Sequence, residues 1–344
     1  MKKKLASLLG IATLTMGVTA CADGGSKDPA ADNGTIKIVA STSIWGDIAK
    51  TVAGDSDKVK VVSILSSTDD DPHEYEATAK DLAELDDADI VVGNGGGYDN
   101  WLTDHVKDGT ELITAAPLAE AHHHHHGDHD HGAEGEDAHG HDHGAEGEDA
   151  HDHDHGAEGE DAHAHGHDHS GHNHGAAFVN DPHVWMDLEK VDEFAEHLAK
   201  KLHEMDNSIP EDSAKPVEQK TDELEKRVQK LKQADYILTE PVAYHLIAHS
   251  AFHDVTPSGF AKSIASESEP SAADIAAAQK VIKDGGVNVV ITNQQSQSPA
   301  SQELISAAKE KNVSVVNINE TPEPNQSYFD YVDAFLSSLE DATK

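Results

Sequence analysis

From residue 122 to residue 174 the chain carries no apolar side chain larger than alanine. A stretch of that composition has nothing to bury that would offset the entropy of ordering its backbone, so it is expected to be disordered when free. The fold must be built by what lies on either side. The stretch is nonetheless patterned: His-Gly-Ala-Glu-Gly-Glu-Asp-Ala-His begins at His131, His143 and His155, a twelve-residue repeat that is shorter than the period of ordinary solenoids. Of the 27 histidines in the chain, 19 fall here: His122, His123, His124, His125, His126, His129, His131, His139, His141, His143, His151, His153, His155, His163, His165, His167, His169, His172 and His174. Eight remain for the folded parts.

On both flanks, short apolar runs alternate with segments of helical period. Residues 35–40, 58–65 and 89–92 read as strands and 45–52 and 78–85 as helices, followed by a glycine-rich turn at 95–97 and a helix carrying Trp101 and Leu102. Beyond the tract, 187–205 has helical spacing and 213–232 is a second, strongly charged helix with too few apolar positions to be buried all round. Strands at 236–239, 287–292 and 313–318 then alternate with helices at 242–250, 271–283, 299–309 and 328–339. This alternation predicts an α/β fold whose ligands lie near the carboxyl ends of mainly parallel strands. An ordered remainder of about 270 residues is more than one core usually serves, so two lobes are expected. The expected organisation is an N-terminal lobe over 35–209 with the insertion at 119–177, a bridging helix over 210–233, and a C-terminal lobe over 234–344.

Residues 1–21 read as an export signal. Met1-Lys2-Lys3-Lys4 precedes an apolar run from Leu5 to Val18 that is too short for a confident membrane span. Val18-Thr19-Ala20-Cys21 matches the bacterial lipobox, in which the cysteine sulfur takes a diacylglyceryl group. Cys21 is the only cysteine, so disulfides and thiolate metal sites are excluded. Residues 22–34 then form a flexible tether, which places the folded part outside the cytoplasmic membrane and holds it there through lipid. A formal charge of −40, from 25 basic against 65 acidic residues, excludes general nucleic-acid binding and suits a protein that meets cations.

One tripeptide occurs twice, as Asp71-Pro72-His73 and as Asp181-Pro182-His183. Proline fixes its own φ and pushes the residue before it into extended backbone, so the histidine leaves a stiff segment in a restricted direction. The aspartate in front can accept a hydrogen bond from backbone or from a ring N–H, a service that metal-ligating histidines usually receive. Tyr75 and Trp185, two residues after each histidine, are placed to wall a site from water. In the second half, Glu240 and Glu320 stand just past the carboxyl ends of expected strands, where an open α/β sheet presents its ligands. His245, His249 and His253 recur every fourth residue, the spacing of a second, surface metal site on a helix.

These motifs together resemble the zinc- and manganese-binding lipoproteins that feed ABC importers. The likeness rests on Ala40-Ser41-Thr42, Asp71 to Glu76, Ala88 to Val91, Gly97 to Trp101, the histidine-rich insertion, Asp181 to Asp187 and the charged helix after it. The resemblance implies two α/β lobes joined by a rigid helix, with the metal in the cleft between them, held by His73, His183, Glu240 and Glu320. Zinc members carry a histidine where this chain has Glu240, and manganese members a glutamate there with an aspartate at the place of Glu320. The donor set therefore looks like the manganese pattern, and the insertion like the zinc pattern.

The reading that follows is a monomeric, membrane-anchored receptor that captures Zn²⁺ and hands it to an integral-membrane ABC permease, with the tract as a low-affinity scavenger. Mn²⁺ or Fe²⁺ in the same role is the alternative, and a surface metal buffer or adhesin a further one. No His-Glu-x-x-His occurs, so no zinc-hydrolase signature is present and no reaction is implied. Histidine ligands bind only when deprotonated, which puts the loss of capture below about pH 6 to 6.5.

Overall fold

The strand that opens the fold, β1 (Ile36–Thr42), is apolar on both faces: Ile38 and Ala40 point into one hydrophobic cluster and Val39 into another. A strand buried on both sides is the mark of a parallel sheet covered by helices. β2 (Val59–Leu65), β1, β3 (Ile90–Gly93) and β4 (Glu111–Thr114) form such a sheet, in that spatial order and all parallel. A second sheet repeats the order with β6 (Phe252–Asp254), β5 (Ala234–Leu238), β7 (Val289–Thr292) and β8 (Ser314–Asn317), again all parallel. In each, the first strand has its successor on one side and the third strand on the other. That arrangement opens a crevice at the carboxyl ends of the two central strands. The fold is therefore α/β, with two parallel sheets flanked by helices. The computed structural model describes residues 34–69, 71–118, 177–178 and 180–344. The leader, residues 22–33 of the tether, Cys21 and all the tract histidines lie outside the described residues.

The crossovers are made by α1 (Ser43–Ala53), α2 (Ala79–Asp86) and α3 (Asn100–Thr103) in the first half. Thr78 caps α2 in a reciprocal box with Asp81, which satisfies two N–H groups that the helix itself leaves open. The chain passes to the second sheet through α4 (Leu188–Met205) and α5 (Lys215–Val228). Asp187 caps α4 by accepting from the N–H groups of Glu189 and Lys190. α6 (Tyr244–Ile247), α7 (Ser258–Ala265), α8 (Ala272–Lys283), α9 (Pro299–Lys311) and α10 (Tyr328–Ala342) complete the chain. Ser271 and Ser298 cap α8 and α9 as Ser and Pro placement predicts. No helix among the described residues is long and apolar enough to cross a membrane.

Residues 36–344 form one compact unit. Its largest hydrophobic cluster runs without a break from Trp45 of α1 through Phe194 of α4 and Leu224 of α5 to Tyr236 of β5 and Phe335 of α10. The rings of Trp45 and Phe194 lie 4.8 Å apart. α10 returns from the second sheet to the first half: the Tyr328 N–H donates to Asp47 Oδ2 at 2.9 Å and its hydroxyl to the Trp185 carbonyl at 2.6 Å. Arg227 of α5 adds ion pairs to Asp333 and Glu340 of the same helix.

Three elements differ from the sequence expectation by being present, β4, β6 and α7, and one by being shorter. In place of a helix over 242–250 there is a 3-10 turn at Pro241–Ala243 and the single turn of α6. Ser250 ends it: its N–H and hydroxyl both bond to the Ile247 carbonyl, and its Oγ accepts from Phe252 N–H, turning the chain into β6. His253 thus stands on a strand, not on a helix, and the every-fourth-residue stripe of His245, His249 and His253 does not exist.

Because the Tyr328 hydroxyl is buried and bonded, Tyr328→Phe leaves the Trp185 carbonyl without a partner. The variant is expected to lose about 1–2 kcal/mol of unfolding free energy, read as a lower urea midpoint at unchanged slope; an unshifted midpoint would remove this bond from the account.

Candidate metal centre

Four side chains converge at the carboxyl ends of the strands. His73 lies in the β2–α2 connection, His183 between β4 and α4, Glu240 directly after β5, and Glu320 in the β8–α10 connection. One donor atom from each lies within 4.8 Å of all the others. His183 is 2% exposed and Glu320 not at all. Four donors around a tetrahedral ion at about 2.0–2.1 Å sit roughly 3.3–3.4 Å from one another, so the group needs a small inward adjustment, within reach of side-chain rotation.

The local chain explains how His183 is aimed. Asp181 N–H bonds back to the Phe178 carbonyl, and Val184 N–H to the Pro182 carbonyl at 2.7 Å. The same Pro182 carbonyl accepts from Asn94 Nδ2 at 2.7 Å, which ties the motif to the end of β3. Asp181 Oδ1 lies 2.6 Å from His183 Nδ1, so that nitrogen donates and Nε2 carries the lone pair. His183 Nε2 is buried without a partner, and so is Glu240 Oε2. An orphaned buried polar atom costs about 1–3 kcal/mol. Two of them in one four-residue cluster are the signature of a site made for something that binds there.

The first motif is wired otherwise. Asp71 Oδ1 accepts from the backbone N–H of His73 at 3.0 Å. The ring stands between two acids, with Nε2 3.1 Å from Glu320 Oε2 and Nδ1 3.3 Å from Glu267 Oε1. Glu320 is further held by the Tyr98 hydroxyl at 2.8 Å and by Asn293 Nδ2 at 2.9 Å. Trp185 walls the site as expected, its ring 5.1 Å from His183 and 5.0 Å from Tyr98. Tyr75 does not: its hydroxyl donates to Asp81 Oδ2 and its ring packs on Trp101. The wall beside His73 is Tyr98, with ring centroids 4.9 Å apart. Tyr98 and Asn293 escaped the sequence reading. Only the run Gly95-Gly96-Gly97, which turns the chain so that Tyr98 faces inward, pointed to the first.

Burial alone would push the His73 imidazole down, but the carboxylates of Glu320, Glu267 and Asp71 outweigh it and raise the ring to about 9. His183 is likewise lowered by burial and raised more strongly by Asp181. Burial, then the charge of Glu320, pushes Glu240 up to about 7. Glu320, for which burial acts upward, is drawn below its usual range by His73, His183 and Tyr98. The site thus holds protons where a cation would sit. Beside it opens a cavity of about 290 Å³, lined by further acids that include Asp71, Glu74, Glu267 and Glu269.

His245 does not join a second site. Its Nε2 lies 3.0 Å from the Asp181 carbonyl oxygen, and His253 Nδ1 lies 3.1 Å from Asp235 Oδ1. The cluster of His73, His183, Glu240 and Glu320 is the single gathering of metal-ligand types among the described residues.

Two parallel α/β sheets that bring two imidazoles and two carboxylates together in the interior have the build of a binding protein for a divalent cation. The chain belongs to the family ZnuA, described as zinc-uptake complex component A, periplasmic, whose pattern matches residues 38–342. This is a family of transport binding components and not of enzymes. FimA of Streptococcus parasanguinis, named a metal ABC transporter substrate-binding lipoprotein, is 29% identical over 237 residues, 67% of this chain and 61% of that one. PsaA of Streptococcus pneumoniae, named a manganese ABC transporter substrate-binding lipoprotein, is 36% identical over 115 residues, 32% of this chain and 36% of that one. The chain spans less than two thirds of the length of either relative. The solved structure of Lmb from Streptococcus agalactiae, described as a laminin-binding protein with adhesin and metal transporting activity, matches with a TM-score of 0.59 at 19% identity, covering 90% of this chain and 100% of that one, a likeness of fold.

The raised His73 moves the pH window. A proton that leaves only above about pH 9 competes with an ion well above the pH 6 to 6.5 expected of an ordinary imidazole. Affinity is expected to fall by about tenfold per pH unit from pH 9 to 7, and more steeply below, where Glu240 protonates too. At pH 7.5 loading releases about one proton per ion. Calorimetry in buffers of different ionisation enthalpy measures it, and an enthalpy independent of buffer would contradict the wiring described.

Proposed function

We propose that the chain is the extracytoplasmic receptor of an ABC importer for divalent metal, that its cargo is Zn²⁺, and that His73, His183, Glu240 and Glu320 are the ligands. The observation that carries the ligand assignment is the pair of buried, unpartnered atoms, His183 Nε2 and Glu240 Oε2, within a cluster whose other two members share protons. A divalent ion supplies the missing partner to both atoms and displaces the protons.

Several features support the wider reading. The names of FimA and PsaA place relatives in metal ABC importers as lipoproteins, which agrees with a lipidated Cys21 and a permease partner. Binding and release are then the whole activity, with lobes over 35–209 and 234–344 presenting the ion between them. The tract of 19 histidines would hold ions loosely at effective concentrations on the order of millimolar and pass them inward. Imidazole clusters suit Zn²⁺ and have little use for Mn²⁺, and intrinsic affinity at a mixed nitrogen and oxygen site also favours Zn²⁺ over Mn²⁺. The presence of Glu240 where zinc members carry histidine, together with the name of PsaA, favours Mn²⁺ as the second reading.

Anomalous scattering at the zinc and manganese edges, from crystals of protein purified without added metal, tests the cargo. A zinc signal at the four side chains is expected, and a manganese signal there moves the assignment to Mn²⁺. His183→Ala and Glu240→Gln should each weaken Zn²⁺ binding by about 100-fold or more, since each removes a ligand outright. Deleting residues 122–174 should leave one tight site. If deletion abolishes it, the chain is a passive buffer built on the tract.

A further inference from the structure

The two Asp-Pro-His motifs part company at the ring. Asp181 serves its own histidine, its Oδ1 2.6 Å from His183 Nδ1. Asp71 uses its carboxylate on the backbone N–H of His73, so Nδ1 of that ring has no help from its own motif. What meets it is Glu267, from the distant α7–α8 connection, with Oε1 3.3 Å from Nδ1.

The turn that brings Glu267 there is unusual for a glutamate. Past the end of α7, Glu267 N–H bonds to the Ile264 carbonyl at 3.2 Å and Ser268 N–H to the Ser263 carbonyl at 2.9 Å, with Glu267 at φ 51°. This is the left-handed position at which helices commonly end and which glycine fills without strain. Among the described residues only three others than glycine have positive φ: Glu267, Asn312 and Asn325. Asparagine tolerates that conformation through its short polar side chain, whereas glutamate has no such aid. The local chain therefore gives no reason for a glutamate at 267; the carboxylate against His73 does.

We propose that Glu267 is a positioning residue of the metal centre. Its carboxylate fixes Nδ1 of His73 as the hydrogen-bearing nitrogen and sets the ring plane, leaving Nε2 with its lone pair for the cation. It performs for His73, from across the site, what Asp181 performs for His183 from two residues away. Since its side chain is 66% exposed and lines the mouth of the cavity together with Glu269, the segment an arriving ion passes is also the one that orients the first imidazole. This inference rests on His73 being a ligand, as proposed above.

Glu267→Gly separates the role from a structural one, because glycine relieves the backbone while removing the carboxylate. Zn²⁺ affinity in the full-length protein, measured against a competing chelator, is expected to fall about 10- to 100-fold, the usual cost of losing the partner of a metal-bound histidine. The melting temperature of the metal-free protein should stay the same or rise by about 2 °C. Glu267→Gln, whose amide oxygen can still accept from Nδ1–H, should lose less than Glu267→Gly. Glu269→Gln removes a neighbouring charge at the mouth and should leave affinity within about threefold of wild type. Wild-type affinity in Glu267→Gly overturns the proposal, and so does a loss in Glu269→Gln as large as that in Glu267→Gly, which would show a general charge effect. If His73→Ala itself binds Zn²⁺ as tightly as wild type, the fault lies in the assignment of the ligands.

Discussion

Two carboxylates buried side by side repel one another, and the repulsion is strongest where water is excluded. Glu320 is fully buried and Glu240 has an oxygen sealed from solvent with no partner. Such a pair is tolerable only with positive charge beside it. In the structure a proton on His73 supplies it, the acids around that ring raising it to about 9 against the pull of burial. A divalent ion can take the place of that proton because the four side chains already face one another. Capture is then an exchange of positive charges in one place, with little new structure to build.

The fold makes this possible by drawing the donors from independent connections. His73 and His183 hang from the first sheet, Glu240 and Glu320 from the second, and each sheet has the same strand order with its crevice at the same end. Neither sheet can form the site alone. The halves are held in register by α10, which grows out of the β8 connection that carries Glu320 and runs back to α1 and α5. Its first residue, Tyr328, bonds to the carbonyl of Trp185 in the turn that follows His183. The hydrophobic cluster that crosses from α1 to α10 therefore also fixes the distance between the two histidines and the two glutamates.

Much of this was legible in the residues. The central strands read clearly because parallel strands buried on both faces are continuous apolar runs, and the longer helices read clearly from their helical apolar spacing. The four clustered side chains were marked by a stiff tripeptide and by their place after strands. What could not be read was short or remote. β6 has three residues, too few for a period, and β4, with Glu111 and Thr114 at its ends, lacks the continuous apolar run that marks β3 and β7. The stripe at His245, His249 and His253 had the right spacing for a helix, but Ser250 captures the Ile247 carbonyl and ends the turn. Tyr98, Asn293 and Glu267 act through tertiary neighbours far away in sequence, and nothing in their own surroundings shows which ring or carboxylate they will meet.

The charge balance of the cluster bears on what it can select. With both imidazoles neutral and both carboxylates ionised the four side chains carry two negative charges, which one divalent ion cancels. On the proposed ligand set, loading leaves the cluster with no net charge. A neutral buried complex discriminates well against ions of other charge, because a mismatch leaves a charge out of water. It discriminates poorly among divalent ions. The Glu320 oxygens accept from Tyr98 and from Asn293 and keep capacity for an ion once the His73 proton leaves, so the donor set admits four-fold coordination and higher numbers alike. On the proposed function, the choice among divalent ions is then made before the site, by which ion is held in numbers at its mouth. On that reading the imidazoles of the tract favour Zn²⁺ over Mn²⁺.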